Sequence, residues 1–363
     1  MAVTPLREFE PSPDWRRLRS SLMLEGEPDR VPLVELIVDQ SVKNAFLGRP
    51  VATPADEVDF WYQAGYDYIS LCPGYSVVAA GWEPKEGWRR SQVASAYGTG
   101  KQEISWGVEG KGLITSWQDF EQYPWPSLDE VDWSFFEYCM NPKNLPPGMK
   151  VIARAGDIFT HTWGLMGFEA FSFALVEDPE LVAAIFQRIG EFIYGIFLRE
   201  VELDTANVIM GLWYSDDIAY TGGLLCSPAV LRQHLFPWMK KIGDLARQID
   251  GAYLYHSDGD LWQVMDDLAA CGINALHPIE PKGMDAEEVK QKEGHRFCLC
   301  GNIELDRLSR GTPAEIDEMV RDRIEKLAPG GGYCVGSSNT VPYYVPLENY
   351  VAMQNAAFRY GAR

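Results

Sequence analysis

Short runs of apolar residues alternate with amphipathic segments along most of the chain. Each run has the length of a buried β-strand, and the residues between most runs repeat their apolar positions at helical spacing. Eight runs are predicted as strands: VPLVEL from Val31, DYISL from Asp67, KVIARAG from Lys150, VIMGLWY from Val208, AYLYHS from Ala252, NALHPI from Asn274, RFCLCGN from Arg296 and YCVGSS from Tyr333.

Helix signals lie between the predicted strands. A long amphipathic segment begins at Pro179, which suits the first turn of a helix. A second segment follows Ser227, a predicted N-cap, and Pro228. A third follows Thr312 and has Glu315 at the position that a capping box requires. Alternating strands and helices predict a mostly parallel sheet.

The predicted fold is therefore α/β, a (β/α)8 TIM barrel. Eight strand–helix units fill about 250 residues, and the chain has 363. We expect one barrel domain over residues 1–363, with the surplus between residues 73 and 123. That stretch is Gly-rich and alternates apolar with polar residues, which predicts a β-hairpin insertion after strand 2, acting as a lid or rim.

Composition indicates a globular protein with an acidic surface. Hydrophobic residues make up 46% and charged residues 23%, and the formal net charge is -20. Such a charge repels nucleic acid and anionic membranes. No run approaches the roughly 20 uninterrupted apolar residues of a membrane span, and the first residues lack the apolar core of a secretory signal. We expect a cytoplasmic protein with no nucleic-acid or membrane partner.

The seven cysteines are scattered and form no C-x-x-C pair, which favours reduced, mostly buried thiols.

Polar and titratable residues follow the predicted strands. In a TIM barrel the active site lies at the carboxyl ends of the strands, so these residues indicate an enzyme, although some of the acidic and hydroxyl side chains are expected to cap helices instead. The candidate substrate-binding residues are Glu35, Asp39, Asp157, Phe159, Trp163, Asp216, His277, Glu280, Asn302, Ser338 and Asn339.

His256, Asp258 and Asp217 are the candidate catalytic residues. Residues two apart on a strand point the same way, so His256 and Asp258 are predicted to share the mouth of the barrel. A histidine beside a carboxylate can bind a metal or transfer a proton. The alternative is a structural histidine that holds the following turn. Of the adjacent Asp216 and Asp217, at most one is expected to face the mouth.

The aromatic segment DIFTHTWGLMGFEAF, after the third strand, is predicted to wall an apolar pocket, with core packing as the alternative for most of it. Phe159 and Trp163 lie nearest the strand end and are the residues expected to face a ligand.

The C-terminal third resembles the uroporphyrinogen decarboxylase superfamily, which includes the decarboxylase and the methyltransferases that act with corrinoid proteins. The resemblance lies in HSDGD, LHPIEP, LCGNIELDRLSRGTPAEI, APGGGY and PLENYVAMQNAAFRYG, in that order. DRVPLVEL, WYQAGYDYISL, FEAFSFALVEDPELV and SDDIAYTGGLLCSP extend it more loosely to the first half. The resemblance implies a barrel enzyme over nearly the whole chain.

Two departures from the decarboxylases disfavour uroporphyrinogen as the substrate. The decarboxylases carry an Arg-bearing segment near the first strand, where this chain has VPLVELIVDQ with Glu35 and Asp39. Carboxylates in place of cations oppose a polyanionic ligand. The decarboxylase Asp after the second strand has no match in ISLCPGY.

The zinc-dependent methyltransferases of the superfamily use His-x-Cys and a later Cys. His256 matches the His, but position 258 is Asp and the later position falls near Ser337 or Ser338. The resemblance therefore leaves two readings: Zn or another divalent metal held by His256, Asp258 and Glu280, or no metal.

We expect a methyltransferase-like enzyme that moves a methyl group between a small substrate and a corrinoid protein or thiol acceptor. The corrinoid would come from a partner protein, and a homodimer is expected from the resemblance. The alternatives are a decarboxylase of uroporphyrinogen or another carboxylic acid, and a non-catalytic protein that binds a tetrapyrrole or corrinoid.

Overall fold

A parallel sheet of seven strands forms the centre of the molecule. The computed structural model describes residues 6–79, 90–94, 101–105 and 110–362. Its strands are β1 Tyr68–Leu71, β2 Arg90–Ala94, β3 Lys101–Ser105, β4 Lys150–Gly156, β5 Ile209–Ser215, β6 Ala219–Tyr220, β7 Gly223–Leu224, β8 Ala252–His256, β9 Ala275–His277, β10 Cys298–Ile303 and β11 Tyr333–Ser337. The sheet has the order β1-β4-β5-β8-β9-β10-β11, and every neighbouring pair in it is parallel.

Helices connect these strands in the described part of the chain, as expected for parallel neighbours. The helices are α1 Trp15–Leu22, α2 Gln40–Leu47, α3 Pro54–Gln63, α4 Trp117–Gln122, α5 Ser134–Cys139, α6 Ile158–Met166, α7 Phe168–Glu177, α8 Pro179–Leu203, α9 Pro228–His234, α10 Phe236–Gln248, α11 Met265–Ala270, α12 Ala286–Glu293, α13 Leu305–Arg310, α14 Pro313–Leu327 and α15 Leu347–Gly361. Short 3-10 turns occupy Leu128–Glu130, Pro142–Asn144 and Trp262–Val264.

Seven of the eight predicted strands are confirmed, but the first one is wrong as a regular strand. The backbone of the segment 31–38 forms isolated bridges in place of a ladder, Leu33 with Val335 of β11 and Val38 with Val341, which follows β11. Toward β1, hydroxyls replace the backbone ladder: Tyr68 Oη accepts from the Glu35 N–H at 2.8 Å and donates to the Glu35 carbonyl at 2.6 Å.

The segment 31–38 therefore contacts both edge strands of the sheet and lies where the eighth strand of a barrel would be. Pro32 has no N–H to give to a ladder, and Ser70 Oγ donates to the Leu36 carbonyl at 2.7 Å. The predicted α/β barrel architecture is confirmed at the level of a curled parallel sheet with helical connections, closed by an irregular segment.

The predicted hairpin insertion is described only in part. β2 and β3 pair antiparallel, with Arg90 opposite Ser105. Residues 80–89, 95–100 and 106–109 lie outside the described residues, so the lid or rim stays a prediction.

The predicted helix starts at Ser227 and Thr312 are confirmed. Ser227 accepts from the Ala229 N–H, and Thr312 forms the complete capping box with Glu315. The helix after Ser227 divides into α9 and α10, because Pro237, in the first turn of α10, has no N–H to donate to the preceding turn.

Helix α8 is long and apolar enough, by composition alone, to cross a membrane. More than half of its apolar window is buried inside the protein, and its buried side chains belong to the main hydrophobic core. These contacts are typical of a core helix.

Candidate functional site

Two histidines meet at the carboxyl ends of neighbouring strands. His256 ends β8 and His277 ends β9, and the two residues are in register. Their Nδ1 atoms are 2.8 Å apart, so one ring donates a hydrogen bond to the other. Burial lowers the pKa of both side chains, and for His277 the neighbouring His256 lowers it further. Both imidazoles are therefore neutral near pH 7.

Asp217 and Asp258 complete a group around the outer nitrogen of His256. Asp217 Oδ1 lies 3.7 Å from His256 Nε2 and accepts the Asp258 N–H at 2.9 Å. Ligand atoms of all three side chains lie within 4.8 Å of one another. An imidazole and two carboxylates at this separation can hold a divalent metal or share a proton.

The Asp258 carboxyl is held in an environment that disfavours its charge. One oxygen accepts from Asn339 Nδ2 at 2.6 Å. The other is buried and has no hydrogen-bond partner among the described residues. Burial, followed by the nearby charges of Asp217 and Glu280, raises the pKa of Asp258 to about 8. A cation in this group would relieve that repulsion.

Asp216 faces away from this group and holds the start of α6. Its carboxylate accepts the N–H groups of Phe159 at 2.6 Å and Thr160 at 2.9 Å, the Thr160 hydroxyl at 2.9 Å and the Tyr214 hydroxyl at 2.5 Å. Burial raises its pKa to about 6, against the lowering effect of these bonds. Of the adjacent pair, Asp217 is the member beside His256.

Three other predicted site residues hold loops at the strand ends. Glu280 Oε2 accepts the Gly259 N–H at 3.0 Å. Asn302 donates to the Ile279 carbonyl at 2.6 Å, and Ser338 Oγ accepts from Leu305 at 3.0 Å. Glu280 contributes charge near Asp258 but does not belong to the group of mutually close ligand atoms.

Glu35 and Asp39 contact backbone and hydroxyl groups close to them. Glu35 is fully buried, and its carboxyl accepts the Ser337 N–H at 2.6 Å and the Ser337 hydroxyl at 2.7 Å. Burial raises the pKa of Glu35 to about 8. Asp39 caps α2 by accepting from the Ser41 N–H.

The aromatic segment after β4 is largely core. Phe159 is fully buried and its ring packs edge-on against Phe171. Trp163 is partly exposed and packs edge-on against Phe168. Asp157 has a positive φ of 69°, and burial, with the charges of Asp216 and Asp217, raises its pKa well above the usual range.

Arg154 and Trp213 are two inward-facing residues that the sequence analysis missed. They are in register on β4 and β5, and the Trp213 ring lies 5.1 Å from the His277 ring. Because residues in register share a face of the sheet, Arg154 also faces the barrel interior. Its Nε is buried without a hydrogen-bond partner among the described residues. In the sequence, Arg154 could have been found from its position inside the predicted strand KVIARAG, two residues before Gly156.

Comparison with known proteins identifies the family. The chain has no significant match among curated proteins. Among solved structures, a methyltransferase from Methanosarcina mazei matches with a TM-score of 0.64 and 18% sequence identity, covering 94% of this chain and 97% of that chain. At this identity the likeness concerns the fold alone. The family model of uroporphyrinogen decarboxylase matches residues 114–360, which include His256, His277, Asp217 and Asp258. The match spans more than half of the sequence, and the chain belongs to the uroporphyrinogen decarboxylase (URO-D) family.

Proposed function

We propose that the chain is a methyltransferase-like enzyme with a divalent metal held by Asp217, His256 and Asp258. The proposal rests on the closeness of these three side chains. Their ligand atoms lie within 4.8 Å of one another at the carboxyl ends of the strands. The family match supports an enzyme of this superfamily, and the solved neighbour of similar fold is a methyltransferase.

The residues present fit a cation. One buried oxygen of Asp258 has no hydrogen-bond partner among the described residues, and burial, followed by the charge of Asp217, raises the pKa of that carboxyl. A bound cation would offset both effects. One imidazole nitrogen and two carboxylates form a harder ligand set than thiolates do. A metal in this set would favour an oxygen atom of the substrate over a soft ligand atom.

The neighbouring residues would orient these ligands. We assign the shared proton to His256 Nδ1, so that His277 Nδ1 accepts the hydrogen bond. This leaves the lone pair of His256 on Nε2, the atom that faces Asp217. A metal-binding histidine that donates its other N–H is the usual arrangement.

When bound, the metal would polarise an oxygen of the substrate or lower the pKa of an acceptor thiol. The substrate class that fits is a small methoxylated or methylated compound, with a corrinoid protein or a thiol as the acceptor. Arg154 and Trp213, which face the barrel interior on β4 and β5, would lie beside the substrate.

The test combines metal analysis with a methyl-transfer assay. We expect one equivalent of divalent metal in the wild type, its loss in His256→Ala, and its retention in His295→Ala, which alters an exposed histidine. Incubation with cob(I)alamin and methyl donors should then produce the absorbance of methylcobalamin in the wild type and His295→Ala, and not in His256→Ala. A metal-free wild type with no spectral change for any donor class would reject the proposal.

Two other outcomes would replace it. Sequential loss of CO2 from uroporphyrinogen, or from another carboxylic acid, would establish a decarboxylase. Stoichiometric binding of a tetrapyrrole or corrinoid that survives His256→Ala, with no turnover, would establish a carrier or sensor.

Asn339 offers a milder test of the same group. Asn339→Ala removes the amide that binds Asp258 Oδ2, and loss of such an orienting bond weakens metal affinity by about 10–100-fold. Competition with a metal-sensitive dye measures the affinity. An unchanged affinity would mean that Asp258 does not bind the metal through a fixed carboxylate.

A further inference from the structure

Three cysteines on two neighbouring strands meet inside the barrel. Cys298 and Cys300 lie on β10, and Cys334 lies opposite Cys300 on β11. All three are fully buried. Their sulfur atoms lie within 4.8 Å of one another, and the Sγ atoms of Cys298 and Cys334 are 3.9 Å apart.

The strand register places this cluster in the barrel interior. Cys298 is in register with Ala275 on β9, and alternation along β9 puts Ala275 on the same face as His277. His277 contacts Trp213 from the inside of the sheet. Cys298 is the first residue of its strand and pairs with Ala275, two residues before His277, so Cys298 lies nearer the amino ends of the strands than His277.

A lysine places positive charge beside the thiols. Lys290 Nζ donates to the Gly331 and Gly332 carbonyls at 2.5 and 3.3 Å, just before β11. Burial would raise the pKa of Cys298, but its bonds with Cys300 and Cys334 and the Lys290 charge outweigh burial and lower it. The pKa of each of the other two thiols is raised.

The spacing matches a three-sulfur metal site. Metal–sulfur bonds of about 2.3 Å in trigonal or tetrahedral geometry place the sulfurs roughly 3.8–4.0 Å apart, which is the separation between Cys298 and Cys334. Among the described residues, no other histidine, cysteine or carboxylate belongs to this group. An all-thiolate set selects soft d10 ions such as Cu+ and Zn2+.

We propose that Cys298, Cys300 and Cys334 form a second, structural site for a thiophilic d10 cation. Binding would replace the thiol protons by three metal–thiolate bonds and release those protons to solvent, with no change in oxidation state. The Lys290 ammonium offsets part of the negative charge that the thiolates leave. The site would tie β10 to β11 within the barrel, and it is independent of the methyl-transfer proposal.

The test uses the full-length reduced chain, refolded in the presence of Cd2+, which gives an ultraviolet charge-transfer band only with thiolates. We expect this band at one Cd2+ per chain in the wild type. It should persist in His256→Ala, which removes the other candidate site, and in Cys271→Ser, which alters a buried cysteine outside the cluster. Cys300→Ser should abolish it.

A wild type without the band, or a Cys300→Ser variant with an unchanged band, would overturn the proposal. If Cys300→Ser does not fold, X-ray absorption of the Cd2+-loaded wild type decides: sulfur neighbours are expected, and nitrogen and oxygen neighbours alone would overturn the site. Elemental analysis of protein produced with added Zn2+ or Cu+ then distinguishes the two ions.

Discussion

Asp216 and Asp217 show how adjacent residues of one type take on different tasks. Asp216→Asn should lower the free energy of unfolding by about 1–3 kcal/mol, because the amide cannot accept from all the donors that hold α6. Asp217→Asn, with its side chain 47% exposed, should change stability by only about 0.5 kcal/mol. Urea unfolding measures both. Equal losses would mean that Asp217 also has a structural task.

Glu35 is expected to make stability depend on pH. Its pKa rises from 4.5 to about 8 on folding, so between these values the folded state holds a proton that the unfolded state releases. This contribution to stability is complete below pH 4.5 and is lost as pH rises through about 8, by at most about 1.4 kcal/mol per pH unit. Glu35→Gln should remove that slope.

Urea unfolding of wild type and Glu35→Gln at several pH values measures the effect. The two curves of stability against pH should diverge in favour of the variant as pH increases. Parallel curves would show that the buried carboxyl does not retain its proton.

From the sequence alone, site residues could be predicted individually only where they lie at the end of a clearly predicted strand. His256 and His277 follow clear apolar runs, and the barrel rule brings them together. The task of Asp216 depends on the start of α6, some 57 residues away in the chain, and Phe159 points into the core because α6 packs against α7 and α8. Such long-range packing has no local signature in the sequence.

At the scale of elements, two glycines beside the site test how tightly the strands and helices are fitted. Gly164 lies inside α6 with nothing within 4 Å of an added Cβ, so Gly164→Ala should stabilise the chain by about 0.5–1 kcal/mol. A Cβ on Gly156, the last residue of β4, would lie 2.0 Å from the Ser215 carbonyl, so Gly156→Ala should cost about 1–3 kcal/mol. Thermal unfolding measures both. A stable Gly156→Ala would show that β4 and β5 can separate.

At the scale of elements, the pattern of apolar residues predicts one strand correctly and another wrongly. The bounds of β4 agree with the predicted KVIARAG, because five of its seven residues are buried and a mostly apolar run is typical of a buried parallel strand. The segment 31–38 has an equally apolar run but forms no backbone ladder with β1. The hydroxyls of Tyr68 and Ser70 donate to its carbonyl groups instead. Side-chain competition of this kind is invisible to periodicity.

At the scale of the whole molecule, closure of the barrel rests on few bonds. Tyr68→Phe removes the hydroxyl that both accepts from and donates to Glu35 and leaves two buried backbone groups without partners. We expect a loss of about 1–3 kcal/mol for each group. Tyr253→Phe is the matched control, because the buried Tyr253 hydroxyl has no hydrogen-bond partner among the described residues.

Urea unfolding compares the two variants. Tyr253→Phe should be neutral or slightly stabilising. If both variants lose the same stability, the contact between Tyr68 and Glu35 contributes nothing specific to closure.

The bonds between Glu35 and Ser337 join residues 302 positions apart, so the ribosome makes Glu35 long before Ser337. During synthesis the nascent chain carries β1 with an open edge, and open strand edges pair readily with other chains. We expect a growing polypeptide of this kind to need chaperone protection until β11 emerges, and premature termination before β11 to yield aggregates in place of a smaller folded protein.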